Sequence, residues 1–104
     1  MKKATSSPKI ANLLGKINEC LDSGRYRLSD HAIERKNERQ IDLLDAIHVL
    51  RTGYVEKEKD QFDPIFNTWK YAIRGKTLED IDIRIILAFH EEEILFITIM
   101  KVTK

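Results

Sequence analysis

Ser29-Asp30-His31-Ala32-Ile33-Glu34-Arg35-Lys36-Asn37-Glu38-Arg39 sets His31, Arg35 and Arg39 at successive i, i+4 positions, which on a helix is one face. An imidazole in line with two guanidiniums can grip phosphate and move a proton. Asp30, Glu34 and Glu38 run beside it, so the face either pairs internally at i, i+3 or meets an external anion. His31 therefore reads as a capped imidazole bonded to Glu34 or to a backbone carbonyl, or else as a phosphate contact or general acid. Arg35 and Arg39 read as structural ion pairs to the sheet or to Asp42 and Asp45, or as contacts to RNA phosphate. Ala32 and Ile33 are the only apolar residues of the segment, where a core helix carries about three or four per two turns. Packing alone does not account for it.

A second set lies further along. In Asn67–Arg74, Trp69, Tyr71 and Ile73 alternate with Lys70, Ala72 and Arg74, the period of a half-buried strand. Cutting RNA without a metal needs a base for the 2′-hydroxyl, cations for the pentacoordinate phosphorane and an acid for the leaving 5′-oxygen. Tyr71, Lys101, Arg74 and Arg84, on neighbouring strands, offer such groups. Parity separates them, because Lys70 and Arg74 share one face while Trp69, Tyr71 and Ile73 share the other. Tyr71 thus reads as a packed residue with its hydroxyl at the surface, or as a catalytic or RNA-contacting one. Trp69 reads as core or as a base-stacking platform.

Other reactive residues carry bland readings. Cys20, the single cysteine, sits on a helical pattern with no Cys or His at zinc spacing and reads as a buried, inert thiol. His48 and His90 read as solvent-facing, and His90-Glu91-Glu92-Glu93 as a hairpin tip rather than a metal site. The chain has no Gly-rich phosphate loop and no Ser/His/Asp or Cys/His signature, so no metal and no cofactor is expected.

The elements that must position these residues follow from periodicity. Residues 1–7 read as a flexible leader and 8–104 as a single domain. Pro8 opens a helical pattern with Ile10, Leu13, Leu14, Ile17 and Leu21, which Ser23-Gly24 ends. Arg25–Leu28 reads as a short strand or extended link, after which Ser29 caps the charged helix. Asp42, with Asp45 three residues on, caps a helix whose buried stripe is Leu44, Ile47 and Leu50, ended by Gly53. From Tyr54 the period becomes two, giving strands at Tyr54–Lys57, Asn67–Arg74, Asp82–Phe89 and Ile94–Val102, with Asp60–Pro64 as the mobile loop. The expected fold is α+β in two layers, with N-terminal helices packed on a twisted antiparallel sheet of about four strands.

Composition limits the partners. Of 104 residues, 42% are hydrophobic and 34% charged, with a net charge of +1, which argues against a general polyanion binder. The charge is uneven: Met1–Lys16 has four lysines and no acid, and Gln40–Asp63 has six acids against three bases. A local basic patch for nucleic acid and a charged protein partner are both permitted. The longest apolar run, Ile85–Phe89, is too short for a membrane span and the N-terminus lacks a signal-peptide pattern. No membrane association is expected, and the expected location is the cytoplasm.

The order helix, short strand, helix, helix, sheet, with Ser-x-His-Ala-x-x-Arg-x-x-x-Arg at a helix start, resembles a family of small bacterial and phage domains. That family looks related to the RelE-like ribonuclease toxins, MqsR among them. The resemblance covers roughly Leu13 to Val102 and includes Trp69-Lys70-Tyr71 and the closing Ile99-Met100-Lys101. It implies a RelE-like fold and a metal-independent endoribonuclease, an mRNA interferase acting on free or ribosome-bound messenger RNA and blocked by a cognate antitoxin protein. By the same resemblance Tyr71 and Lys101 match the sheet tyrosine and terminal lysine, and Lys57 or Lys59 a lysine of the first long strand. The expected catalytic residues are then Tyr71, Lys101 and Lys57, with RNA held by His31, Arg35, Arg39, Lys70, Arg74 and Arg84. The alternative is a non-catalytic protein- or RNA-binding module on the same scaffold.

Overall fold

Helix α1 (Leu13–Asp22) starts where Asn12 caps it, its side-chain oxygen accepting from Gly15 N at 3.2 Å. In this computed structural model, which describes residues 8–30, 32 and 41–102, the helix therefore begins later than the Pro8 expected. Residues 8–12 run instead across the sheet, where Ile10 N donates to the Tyr71 hydroxyl at 2.9 Å. Leu13, Ile17, Cys20 and Leu21 form the buried stripe. Gly24, at φ 70°, ends the helix in a Schellman turn: its N–H reaches Leu21 O at 3.2 Å, and Arg25 N reaches Cys20 O at 2.8 Å.

Ser29 caps the next segment as expected, since Ala32 N donates to its hydroxyl at 3.1 Å. The leader at 1–7 and the expectations for His31, Glu34, Arg35, Glu38 and Arg39 fall outside the described residues. Helix α2 (Leu43–Thr52) opens on the reciprocal Asp42–Asp45 capping box. Its buried residues are Ala46, Val49 and Leu50, with Leu43 and Ile47 packed at the margin. Leu44, expected in the stripe, is exposed, because Ala46 and Leu50 lie three and seven residues after Leu43 and leave Leu44 turned away. At Gly53 an added Cβ would collide with the backbone carbonyl of Arg74, so the helix can end against the sheet only on glycine.

The strands are β1 (Tyr26–Leu28), β2 (Tyr54–Val55), β3 (Gln61–Asp63), β4 (Thr68–Lys76), β5 (Asp82–His90) and β6 (Glu93–Lys101). They form one mixed sheet in the order β1-β6-β5-β4-β2, with β3 also paired to β4. The antiparallel meander β4-β5-β6 is as expected, but six strands replace about four, and β1 pairs with β6 in parallel. Parallel pairing depends on a partner far along the chain, which local periodicity does not reveal. Tyr54–Lys57 gives up its second half to a 3₁₀ turn at Lys57–Lys59, and the supposed mobile loop contains β3.

Both described helices pack on one face of the sheet, over Tyr71, Ile73, Ile83, Ile85, Leu87, Ile94, Phe96 and Ile99. A bulge at Ile86/Leu87 pairs them with Thr98 and Phe96, leaving Ile97 as the extra residue. It puts Phe96 and Ile99 on the same face although they are an odd three positions apart. Tyr71 belongs to this core at 4% exposure.

Candidate nucleic-acid interface

Lys70, Arg74 and Arg84 point to the sheet's other face, which neither described helix covers. They are opposite in parity to Tyr71, Ile73 and Ile85. Arg27 of β1, opposite Leu95 in the register, shares that face. Two grooves adjoin there. One, of about 250 Å³, is lined by Lys59, Gln61, Lys70, Arg84, Ile86 and Met100. The other, of about 590 Å³, runs between Arg27, Lys70 and His90 with Ala88, Leu95 and Ile97 among its lining. Lys70 belongs to both.

Arg74 and Arg84 lie directly opposite one another, a repulsive arrangement. Glu56 resolves it. Its carboxylate, on a residue 5% exposed, accepts from Arg84 Nε at 2.6 Å and from Arg74 Nη1 at 3.3 Å. Asp82 takes the rest of Arg74, at 2.7 and 3.1 Å. The Arg84 hydrogen bond holds the Glu56 carboxyl below its ordinary value of 4.5, more than its burial pushes it up, with Arg74 adding to the effect. The Arg74 guanidinium is raised by its hydrogen bond to Asp82, then by that to Glu56, and Arg84 by its bond to Glu56. Of the described cations expected to hold RNA, these two are fixed in a network, whereas Lys70 meets, among the described residues, only Asp63 at 3.8 Å.

The expected catalytic residues are divided. Tyr71 and Lys57 line one cavity of about 400 Å³ on the helix side, under residues 9–14. Asp60 belongs to the same cavity; its side chain is 1% exposed, accepting from Ala72 N at 3.0 Å through one oxygen and meeting Lys9 Nζ at 3.0 Å through the other. Lys9 Nζ also sits 4.6 Å from the Trp69 ring centre. Lys101 is elsewhere: it pairs with Ile83, four register steps from the Leu87 that faces Tyr71, roughly 13 Å along the strand. Tyr71 and Lys101 are thus not brought together, and Tyr71 does not share a face with Arg74 and Arg84.

Cys20 is buried, as expected, with its thiol 3.5 Å from Glu92 O. His90 is exposed and His48 half-buried. Among the described residues, no three His, Cys, Asp or Glu side chains come together in a way that could hold a metal ion, and no helix is long and apolar enough to cross a membrane. Sequence reasoning missed Glu56, Asp60 and Asp82 as organisers. A partial signal for one was present: Glu56 follows Tyr54 by two residues, so alternation places it on the face of Tyr54, which the β2–β4 register makes the Arg74 face.

Residues 28–101 match the family model described as a domain of unknown function (DUF4258). No curated protein matches the chain.

Proposed function

We propose, for a chain that belongs to the DUF4258 family, that it acts on RNA as a toxin-like, metal-independent endoribonuclease of RelE/MqsR-like fold, restrained by a cognate antitoxin protein. The observation that carries the reading is the sheet face that neither described helix covers, where Lys59, Lys70 and Arg84 line one groove and Arg27 and Lys70 the next. Cations on a concave sheet face follow a phosphate backbone and stabilise charge that builds on phosphorus. Lys70 and Arg84 hold the RNA backbone on that face. Tyr71 and Lys57 line a common cavity on the opposite, helix side, so in this reading they are the proton-transfer pair for a phosphate bound in that cavity and not for one held by Lys70 and Arg84, with the Tyr71 hydroxyl freed when Ile10 N lets go. Lys101 lies too far from Tyr71 to act on the same phosphate in this arrangement.

A second reading, a non-catalytic RNA-binding module, draws on two observations. The Tyr71 hydroxyl is already engaged by Ile10 N, and Arg74 and Arg84 are already paired with Glu56 and Asp82.

Induction in a bacterial host without antitoxin separates the two. Growth arrest with cut transcripts is expected, and normal growth with intact transcripts overturns the enzyme. Binding of a labelled single-stranded RNA is expected to weaken with salt at a log–log slope of about −2, for three phosphate contacts at ~0.7 each. A flat response overturns both readings.

A further inference from the structure

The turn joining β3 to β4 displays two large apolar side chains, Ile65 at 84% and Phe66 at 76% exposure. The turn that displays them is well fixed. One Asp63 oxygen accepts from Ile65 N at 3.0 Å and Phe66 N at 3.3 Å, an Asx turn with Pro64 inside it, and Asn67 closes it at φ 51°. Apolar surface held outward by a built turn marks a contact.

Phe66 stands on the wall of the 590 Å³ groove, a volume within the range of small-ligand sites. The groove's lining includes Ala88 and its register partner Leu95, with Ile97 nearby, so a flat ring beside Phe66 meets a small, apolar floor. Its cations are loosely held. Arg27 is 3.7 Å from Glu93 and Lys70 is 3.8 Å from Asp63, against 2.6 Å for Arg84 and Glu56. Pairs at such distances contribute little, so Arg27 and Lys70 can turn from Glu93 and Asp63 toward a phosphate, while Asp63 stays in its turn on the groove wall. An aromatic wall, an apolar floor and two available cations are the pattern of a site for a base with its phosphates.

We propose that this groove takes one unpaired nucleobase of RNA, stacked on Phe66, with the flanking phosphates at Lys70 and Arg27. The inference rests on the RNA reading above and narrows it to single strands, because a paired base keeps both faces stacked within its helix.

The test is fluorescence anisotropy with a labelled single-stranded oligoribonucleotide and with the same strand in a duplex. Wild type is expected to prefer the single strand. Phe66→Ala is expected to weaken the single strand roughly fivefold or more, the range of one lost base stack, with little change for the duplex, whereas Phe66→Trp keeps the affinity. Lys70→Ala is expected to weaken both. Circular dichroism melts confirm that each variant folds, and Phe66, being exposed, is a safe position. If Phe66→Ala binds the single strand within about twofold of wild type while Lys70→Ala does not, the base site is overturned, the RNA reading stands, and the turn becomes a protein contact. If wild type binds neither RNA, the RNA reading is overturned and the base site with it.

Discussion

Glu56 is one carboxylate between two guanidiniums that face each other across β4 and β5. Replacing it by Gln removes the charge that offsets this repulsion, and Glu56→Gln is expected to lower stability at neutral pH by about 2–3 kcal/mol, read by urea denaturation. The pH dependence has a definite sign. A carboxyl held below 4.5 in the folded protein stabilises it above that value, and the contribution is lost as pH falls through the lower folded value. Wild type should therefore lose thermal stability between about pH 5 and 3, and Glu56→Gln should show a flatter acid limb. Tyr71 gives a separate test. Tyr71→Phe removes the acceptor of Ile10 N and is expected to cost about 0.5–1.5 kcal/mol. A loss of RNA cleavage with a Tm change no greater than this implies would assign the hydroxyl to chemistry, while a Tm drop with cleavage unchanged would make it a strap for residues 8–12. The facing of Lys70 and Arg74 was legible in the sequence, since alternation is local. The network was not, because Glu56 meets Arg84 only through the pairing of β2 with β4 and β4 with β5.

The β5–β6 hairpin turns on two residues, Glu91 and Glu92, at φ 52° and 68°. Turns with both central φ values positive favour Asn-Gly, and glutamate holds them at a cost. Glu91→Asn with Glu92→Gly is expected to stabilise the protein by about 1 kcal/mol, a Tm rise of roughly 4–8 °C in a scanning melt. The Lys16–Glu92 pair that it removes is 3.5 Å long, with the carboxylate largely exposed, and contributes little. Elements whose signals lie within a few residues were legible, such as the Asp42–Asp45 box, the Gly24 stop and the His90–Glu93 turn. β2 was legible as a strand from Tyr54, though it is two residues long rather than four, whereas β3, of three residues, is too short to show a period and exists because β4 offers it an edge. The β6 bulge also defeats strict alternation, which would turn Ile99 away from Phe96.

Across the molecule, a single core joins both described helices to every long strand. Ile94 N donates to Arg25 O at 3.0 Å, and Cys20 meets Glu92 at 3.5 Å, so α1 is fastened to the last strand. Thermal unfolding followed by Trp69 fluorescence and by helical circular dichroism is expected to give midpoints within about 1 °C; separated midpoints would show that α1 comes away first. The balanced total charge of +1 is repeated locally on this sheet face, where Arg27, Lys70, Arg74 and Arg84 are paired with Glu93, Asp63, Asp82 and Glu56.

The parallel pair of β1 with β6 also sets an order in time. Ser29 donates to Ile97 O across 68 residues of sequence. At synthesis rates of about 5–20 residues per second, β1 waits roughly 3–14 seconds for its partner. Through that interval the nascent chain carries the apolar side of α1 without the sheet it packs on, a target for chaperones. The sheet face that neither described helix covers, with whatever it binds, is not complete on the ribosome until β6 has been made.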